Sequence, residues 1–336
     1  YPAVRRWLME HTSLEPSLLE GAGFDALVAE RVAAVDGASE SAYIAALDQS
    51  EDEVDRLTAG IAVPETWFFR YPQSFRLLLE FLERRRSVGA FSLRMLSIGC
   101  ATGEEPYSMA MSARNADWPD DAITIEALDR NRAVLARAKS GEYGAASIRT
   151  EIPDWAAEFL RRSGSTVVVD PAIRGLVQFS LADVTRPGAI LSGPPRDVIF
   201  CRNLLIYLGE EARTRLLDSI CEALAPGGLL FLGHAEPLLC ATPALRLFPA
   251  PHAFALERTG NEPGPLVRSP VVPPLRGRAL ESRIARPAPL RPLPSAPHSP
   301  AAAELTVDDA RDLADAGRAQ ESEAIVRSIL ARQGPS

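Results

Sequence analysis

Between about residue 90 and residue 259, short apolar runs of strand character alternate with amphipathic stretches of helical period. The spacing predicts strands over 94–99, 123–129, 176–183, 197–203 and 229–232, and helices over 104–113, 132–139 and 210–224. Pro106 is tolerated in the first turn of its helix. Pro226-Gly227-Gly228 reads as the stop after the 210–224 helix, and 245–256 as a hairpin closing the sheet. Strand–helix alternation with short connections requires a mostly parallel sheet with helices on both faces, an α/β architecture.

The flanks differ from this core. Residues 1–62 carry apolar residues at helical period, among them Val4, Leu8, Phe24, Leu27, Val28 and Val32, with no strand signal. Residues 260–300 hold 11 of the 28 prolines, which marks a semi-extended linker. Helical period returns after it, and Ala310, Leu313, Ala314, Gly317 and Ala324 resemble the front of one tetratricopeptide repeat. One repeat cannot bury its own apolar face. The boundaries expected are therefore 1–62, 63–259, a linker over 260–303 and a partial helical repeat over 304–336.

Charge and cysteine usage narrow the function. The net charge of -8 argues against nucleic acid as a partner. Residues 263–300 carry six Arg and one Glu, so the negative charge lies elsewhere. The four cysteines and four histidines show no metal-ligand spacing, and no disulfide framework is implied. No apolar run approaches the length of a membrane span. These features point to a soluble cytoplasmic protein.

Four stretches carry chemistry. In residues 96–105 an apolar strand enters a small-residue turn, Gly99 to Gly103, and then a helix opening with Glu104 and Glu105. Backbone approaches a ligand closely at such a turn. Gly99 and Gly103 are four apart, which is the wrong spacing for a pyrophosphate cradle. The two acidic residues suit a cationic ligand such as S-adenosylmethionine; the alternative is a tight turn of any α/β domain. Asp129 ends a strand and is placed to accept from ribose hydroxyls, or else to cap the next helix. Arg202 and Asn203 follow another apolar strand, at a ligand edge or in a surface loop. Thr66-Trp67-Phe68-Phe69-Arg70 sets three aromatics before an arginine, either as a site element or as a hydrophobic staple between the helical and sheet regions.

Together these stretches resemble the chemotaxis receptor methyltransferases, the CheR family. The family's T-x-F-F-R box, S-T-G-E-E-P-Y-S turn, D-I-d-x-x-x-L-x-x-A and I-F-C-R-N-x-x-I-Y-F strand ends, and P-G-G-x-L-x-x-G-H-S-E segment correspond in order to residues 66–70, 101–108, 129–136, 199–208 and 226–236. The wording of the first box and the proline-rich tail look similar to the biofilm-associated branch with C-terminal tetratricopeptide repeats, the WspC type. The resemblance implies an all-helical N-terminal domain, a Rossmann-like methyltransferase domain and a small β-subdomain inserted near residues 160–178. Its shortness points to receptor recognition without a pentapeptide tether.

The implied reaction moves a methyl group from S-adenosylmethionine to receptor glutamates, releasing S-adenosylhomocysteine. Carried over by position, Thr66, Arg70, Gly99, Glu104, Asp129, Asp183, Val184, Arg202 and Asn203 would line the cofactor. Arg70 and Tyr207 would act in the transfer. The partners implied are the cytoplasmic helical bundle of a methyl-accepting chemoreceptor and a protein bound by the C-terminal repeat. Arg5, Arg6 and Arg31 would meet an acidic receptor surface, or form a solvated helix face. The alternatives are a small-molecule methyltransferase and a cofactor-binding scaffold working through its repeats.

Overall fold

In the computed structural model, residues 1–35, 39–62, 65–240 and 242–260 are described here; the expected linker and repeat lie outside them. Tyr1–Asn261 form one compact unit. It opens with four helices, α1 (Pro2–His11), α2 (Gly21–Ala33), α3 (Glu40–Gln49) and α4 (Glu51–Ile61). Their apolar stripes converge on a cluster of their own, including Val4, Trp7, Leu8, Phe24, Val28, Tyr43 and Leu57.

After α5 (Pro72–Ser87) the chain alternates as expected: β1 (Leu93–Ile98), α6 (Glu104–Asn115), β2 (Ile123–Asp129) and α7 (Arg132–Ser140). A small excursion follows, made of β3 (Glu142–Tyr143), α8 (Asp154–Ala157), β4 (Leu160–Ser163), β5 (Thr166–Val169) and α9 (Pro171–Arg174). The main sheet resumes with β6 (Val177–Leu181), β7 (Arg196–Cys201), α10 (Glu210–Ala223) and β8 (Leu224–Leu232), and finishes with β9 (Leu245–Leu247) and β10 (Ala255–Arg258). Its seven strands run in the order β6-β2-β1-β7-β8-β10-β9. The first five are parallel, while β10 and β9 add on antiparallel as a terminal hairpin.

Alternation along the central strands sends side chains to two cores. Met95, Val198, Phe200, Leu229 and Phe231 face a cluster built with α5, α6 and α7. Leu96, Ile98, Ile199, Cys201, Leu230 and Leu232 face a second cluster built with α10. Phe200 stacks on Phe231 at 4.5 Å, a contact of about 0.5–1.5 kcal/mol beyond area burial. Among the described residues, no helix is long and apolar enough to cross a membrane.

Three expectations need correction. The inserted β-subdomain is the sheet β3-β5-β4, which spans 142–169 and not 160–178. Residues 177–181 instead belong to the main sheet, because β6 pairs with β2 from Ile125↔Val177 onward. Pro226-Gly227-Gly228 does not stop α10. The helix gives way at Leu224 directly to β8. β8 advances from Leu224 to Leu229 while β7 advances only from Arg196 to Val198, so the Pro-Gly-Gly run bulges from the strand with Gly227 at φ +74°. The aromatic box is no staple between the two regions. Phe68 and Phe69 are buried in the core shared with α5 and α6, against Tyr143, Phe75 and Trp155.

Arg31 is not a free docking charge either. It grips Glu53 through Nε and Nη2 at 2.8 and 2.5 Å, and the Tyr43 hydroxyl donates to the same carboxylate at 2.8 Å. Burial works against the Glu53 charge, but the Arg31 and Tyr43 bonds outweigh it and hold the carboxyl below its ordinary 4.5. The stability these bonds give is present above that value and is lost as pH falls through the lowered one. Glu53→Gln is expected to cost about 3 kcal/mol at neutral pH in chemical denaturation. It should also flatten the stability–pH curve below pH 4.5, and an unchanged acid limb would contradict the assignment.

Candidate functional site

The chain order reverses at β1, which has β2 on one side and β7 on the other, both parallel to it. Such a switch point opens a crevice beyond the carboxyl ends of the strands. Here it opens past Ile98 and Cys201, which are paired across the sheet. The turn after β1 is fastened to the end of β2. Gly99 and Cys100 N–H donate to the Leu128 carbonyl at 2.8 and 3.0 Å, and Ala101 N–H donates to Asp129 Oδ2 at 2.9 Å. Ala101 is held at φ +46°, a conformation that costs an L-residue about 1–2 kcal/mol. Gly103 sits at φ +93°, and a Cβ there would come within 2.8 Å of Ala138 Cβ on α7, so both backbone and packing require glycine.

Asp129 serves this turn and does not cap α7. Its Oδ1 accepts from Asn131 N–H at 2.9 Å, and Asn131 is the cap, accepting from Ala133 and Val134 N–H. Burial pushes the Asp129 carboxyl above the ordinary value, against the pull of the Asn131 and Ala101 bonds. Along the same cleft wall, Asp183 Oδ1 accepts from Thr185 N–H at 3.0 Å and from the Thr185 hydroxyl at 2.6 Å. Gly99, Asp129, Asp183, Val184, Asn203 and Tyr207 line this one cleft.

Glu104 and Thr66 line a neighbouring cleft with Thr102, Ser147 and Arg149. Glu104 is almost fully buried, accepting from the Thr102 and Ser147 hydroxyls at 2.7 Å each, and burial raises its pKa. Glu105 turns inward. It accepts from the Ser97 hydroxyl at 2.7 Å and pairs with Arg202 Nη1 at 3.3 Å. The two neighbours therefore differ in task, with only Glu104 at an opening.

Arg70 and Arg202 stand behind the cleft walls. Arg202 Nη2 donates to the Arg70 carbonyl at 2.7 Å, and its guanidinium lies 4.5 Å from the Tyr71 ring centre. Burial pulls the Arg202 pKa down while Glu105 supports the charge. The Arg70 guanidinium stacks 4.3 Å from Trp67 and donates to the Glu65 carbonyl at 2.9 Å.

Two parts of the site escape a local reading of the sequence. Residues of the helical region, Ser13, Leu14, Thr58, Ala59 and Ala62, form one cleft wall. The segment after α1 straps onto the segment after β7: Leu14 bridges Leu208, Glu15 N–H donates to the Tyr207 carbonyl at 2.9 Å, and Gly209 N–H donates to Ser13 at 3.0 Å. The second is Glu236, which has no exposure and accepts from the N–H groups of Asn203, Leu204, Leu205 and Gly233 at 2.6–2.8 Å. Its signal in the sequence is its place as the last residue of the 226–236 segment, which does not tell what the carboxylate binds.

The lining suits a ligand rich in donors and positive charge. Asp129, Asp183 and Glu104 offer carboxylates, and Asn203 Oδ1 is buried with no hydrogen-bond partner. An unsatisfied buried acceptor costs about 1–3 kcal/mol, which a ligand N–H or O–H would remove. Away from the lining, Trp67 Nε1 and Arg202 Nε are buried donors without a hydrogen-bond acceptor. The ammonium, sulfonium, ribose hydroxyls and carboxylate of S-adenosylmethionine fit this inventory.

Comparison with known proteins agrees with the geometry. The family model for the CheR methyltransferase, SAM binding domain, matches residues 64–254. A probable biofilm formation methyltransferase WspC of Pseudomonas aeruginosa is 32% identical, covering 98% of this chain and 82% of that protein. Its counterpart in Pseudomonas putida is 31% identical over 87% of this chain and 68% of its own length. A chemotaxis protein methyltransferase of Salmonella typhimurium is 31% identical over 58% of this chain and 68% of that protein. A switch-point crevice of acidic acceptors, matched by a family model over more than half the chain, places this protein in the CheR family of S-adenosylmethionine-dependent methyltransferases.

Proposed function

We propose that the chain esterifies glutamate side chains on the cytoplasmic helical bundle of a methyl-accepting chemoreceptor, setting adaptation in a chemosensory or biofilm pathway. The observation that carries this reading is the cleft. Acidic acceptors and the half-buried Tyr207 share it with a wall from the N-terminal helices, a helical surface beside the reacting end. The relatives named for biofilm formation and chemotaxis support the same pathway class.

In this reading Asp129 accepts from the ribose hydroxyls, while Asp183 and Val184 border the adenine. Asn203 receives the ammonium group, and Glu104, with Thr66 in the neighbouring cleft, adds negative charge on that side. Gly99 allows close approach of the backbone. Arg202 fixes Arg70 through its carbonyl, and Arg70 takes a carboxylate. S-adenosylmethionine supplies an electrophilic methyl group on sulfonium. The acceptor carboxyl has an ordinary pKa of about 4.3 and is ionised near neutrality, so no residue of this chain has to remove a proton. The protein's work is orientation and charge placement, with Tyr207 positioning an acceptor oxygen. The tail beyond residue 260 would serve as spacer and partner-binding repeat, not as chemistry.

Receptor incubated with methyl-labelled cofactor should acquire base-labile label, mapped to glutamates; label confined to small molecules would sink the proposal. Arg70→Ala should lower turnover about 100-fold, the scale of one lost charge-placing donor, and near-normal transfer would remove it from the mechanism. Asp129→Ala should weaken cofactor affinity by at least about tenfold in calorimetry, the scale of a hydrogen bond to a charged group. Unchanged affinity would contradict the ribose assignment.

A further inference from the structure

We infer that Glu236 is a positioning residue for methyl transfer, which aims the Asn203 side chain and fixes the turn that carries Tyr207. The inference rests on the reading of Asn203 as a cofactor contact. β7 and β8 are adjacent parallel strands, and the chain leaves both at the crevice edge. The Glu236 carboxylate bridges the two exits. Oε2 accepts from Asn203 N–H at 2.8 Å and from Gly233 N–H at 2.6 Å, and Oε1 accepts from Leu204 and Leu205 N–H at 2.8 Å each.

Three consecutive N–H groups pointing at one spot form a backbone concavity that attracts anions. Here the chain fills the concavity with its own carboxylate. That arrangement explains the backbone of Asn203, which stands at φ +57°, a left-handed conformation that asparagine tolerates better than most residues. In an extended conformation the N–H groups of 203–205 would not converge. The Asn203 side chain is packed into the same knot. A Cβ on Gly233 would lie 2.8 Å from Glu236 Oε2 and 2.9 Å from Asn203 Nδ2. Tyr207 closes the short helical turn that starts at Leu205, its N–H donating to the Leu204 carbonyl at 3.0 Å. One carboxylate thus sets a cofactor-side amide and an acceptor-side phenol at once.

Glutamine cannot replace it. It keeps one acceptor oxygen and turns an NH2 group toward donors. Glycine at 233 belongs to the same knot, because a Cβ there would have to push the ends of the Glu236 and Asn203 side chains from their places.

The test uses the full chain with S-adenosylhomocysteine as the probe. Calorimetric affinity and thermal midpoint are measured for Glu236→Gln and for Gly233→Ala, each alone and in an Asn203→Ala background. Positioning predicts that either change weakens binding at least about tenfold in the otherwise unaltered chain, and less than about twofold once Asn203 is alanine. For Glu236→Gln the thermal midpoint should fall by the same amount in both backgrounds, since lost backbone bonds are indifferent to the amide. Equal loss of affinity in both backgrounds would reduce Glu236 to a structural part and overturn the inference, leaving the Asn203 assignment intact. Unchanged affinity in Asn203→Ala itself would overturn both. Gly233→Ala keeps the carboxylate, so it decides the matter alone if Glu236→Gln does not fold, and normal binding by Gly233→Ala would also count against positioning.

Discussion

A parallel sheet leaves its backbone N–H groups without ladder partners where strands end, and this protein answers three times with a carboxylate. Asp129 ends β2 and takes Ala101 and Asn131; Asp183 follows β6 and takes Thr185; Glu236 follows β8 and takes four donors. Buried backbone donors must be paired, and acceptor-only groups suit them best. Two of the three, Asp129 and Asp183, also line the cleft. At Asp129 and Asp183 the groups that keep the loops rigid are also groups that make the edge receptive to a cationic ligand, so structure and recognition share those atoms.

Much of this was legible in the sequence because the cores are separated by simple alternation. Leu96 and Ile98 go one way and Met95 the other, and the apolar runs of β1, β2 and β7 announce themselves with their helices. What failed to show was geometry that breaks period. The Pro-Gly-Gly run reads as a helix stop, and it is a bulge inside a strand that begins at once. Strands as short as β3 leave too few residues to show alternation. Asp129 has the composition of a helix cap, yet Asn131 two residues on is the cap and Asp129 reaches across to another strand's turn.

The site was legible as a set of residues more than as an arrangement. The nine residues expected at the cofactor divide among a cleft, its neighbour and a buried arginine pair, Arg70 and Arg202. Arg202 is a case in point. Its place after an apolar strand marks it as part of the ligand edge, but its hydrogen bonds run to Glu105 and to the Arg70 backbone. The helical wall was silent, and Glu236 showed only as the end of a motif, for a physical reason: most of the partners lie far apart in the chain, and no local pattern encodes such contacts.

The strap between Leu14 and Leu208 sets an order of events during synthesis. The four helices complete their own cluster from residues that leave the ribosome before any strand of the main sheet. At about 5–20 residues per second, Leu208 follows Leu14 by roughly 10–40 s. Through that interval the helices hold a wall for a chamber whose other sides have not yet been made. The cleft is thus a late product of the chain, finished only when the segments after β7 and β8 arrive to be tied down.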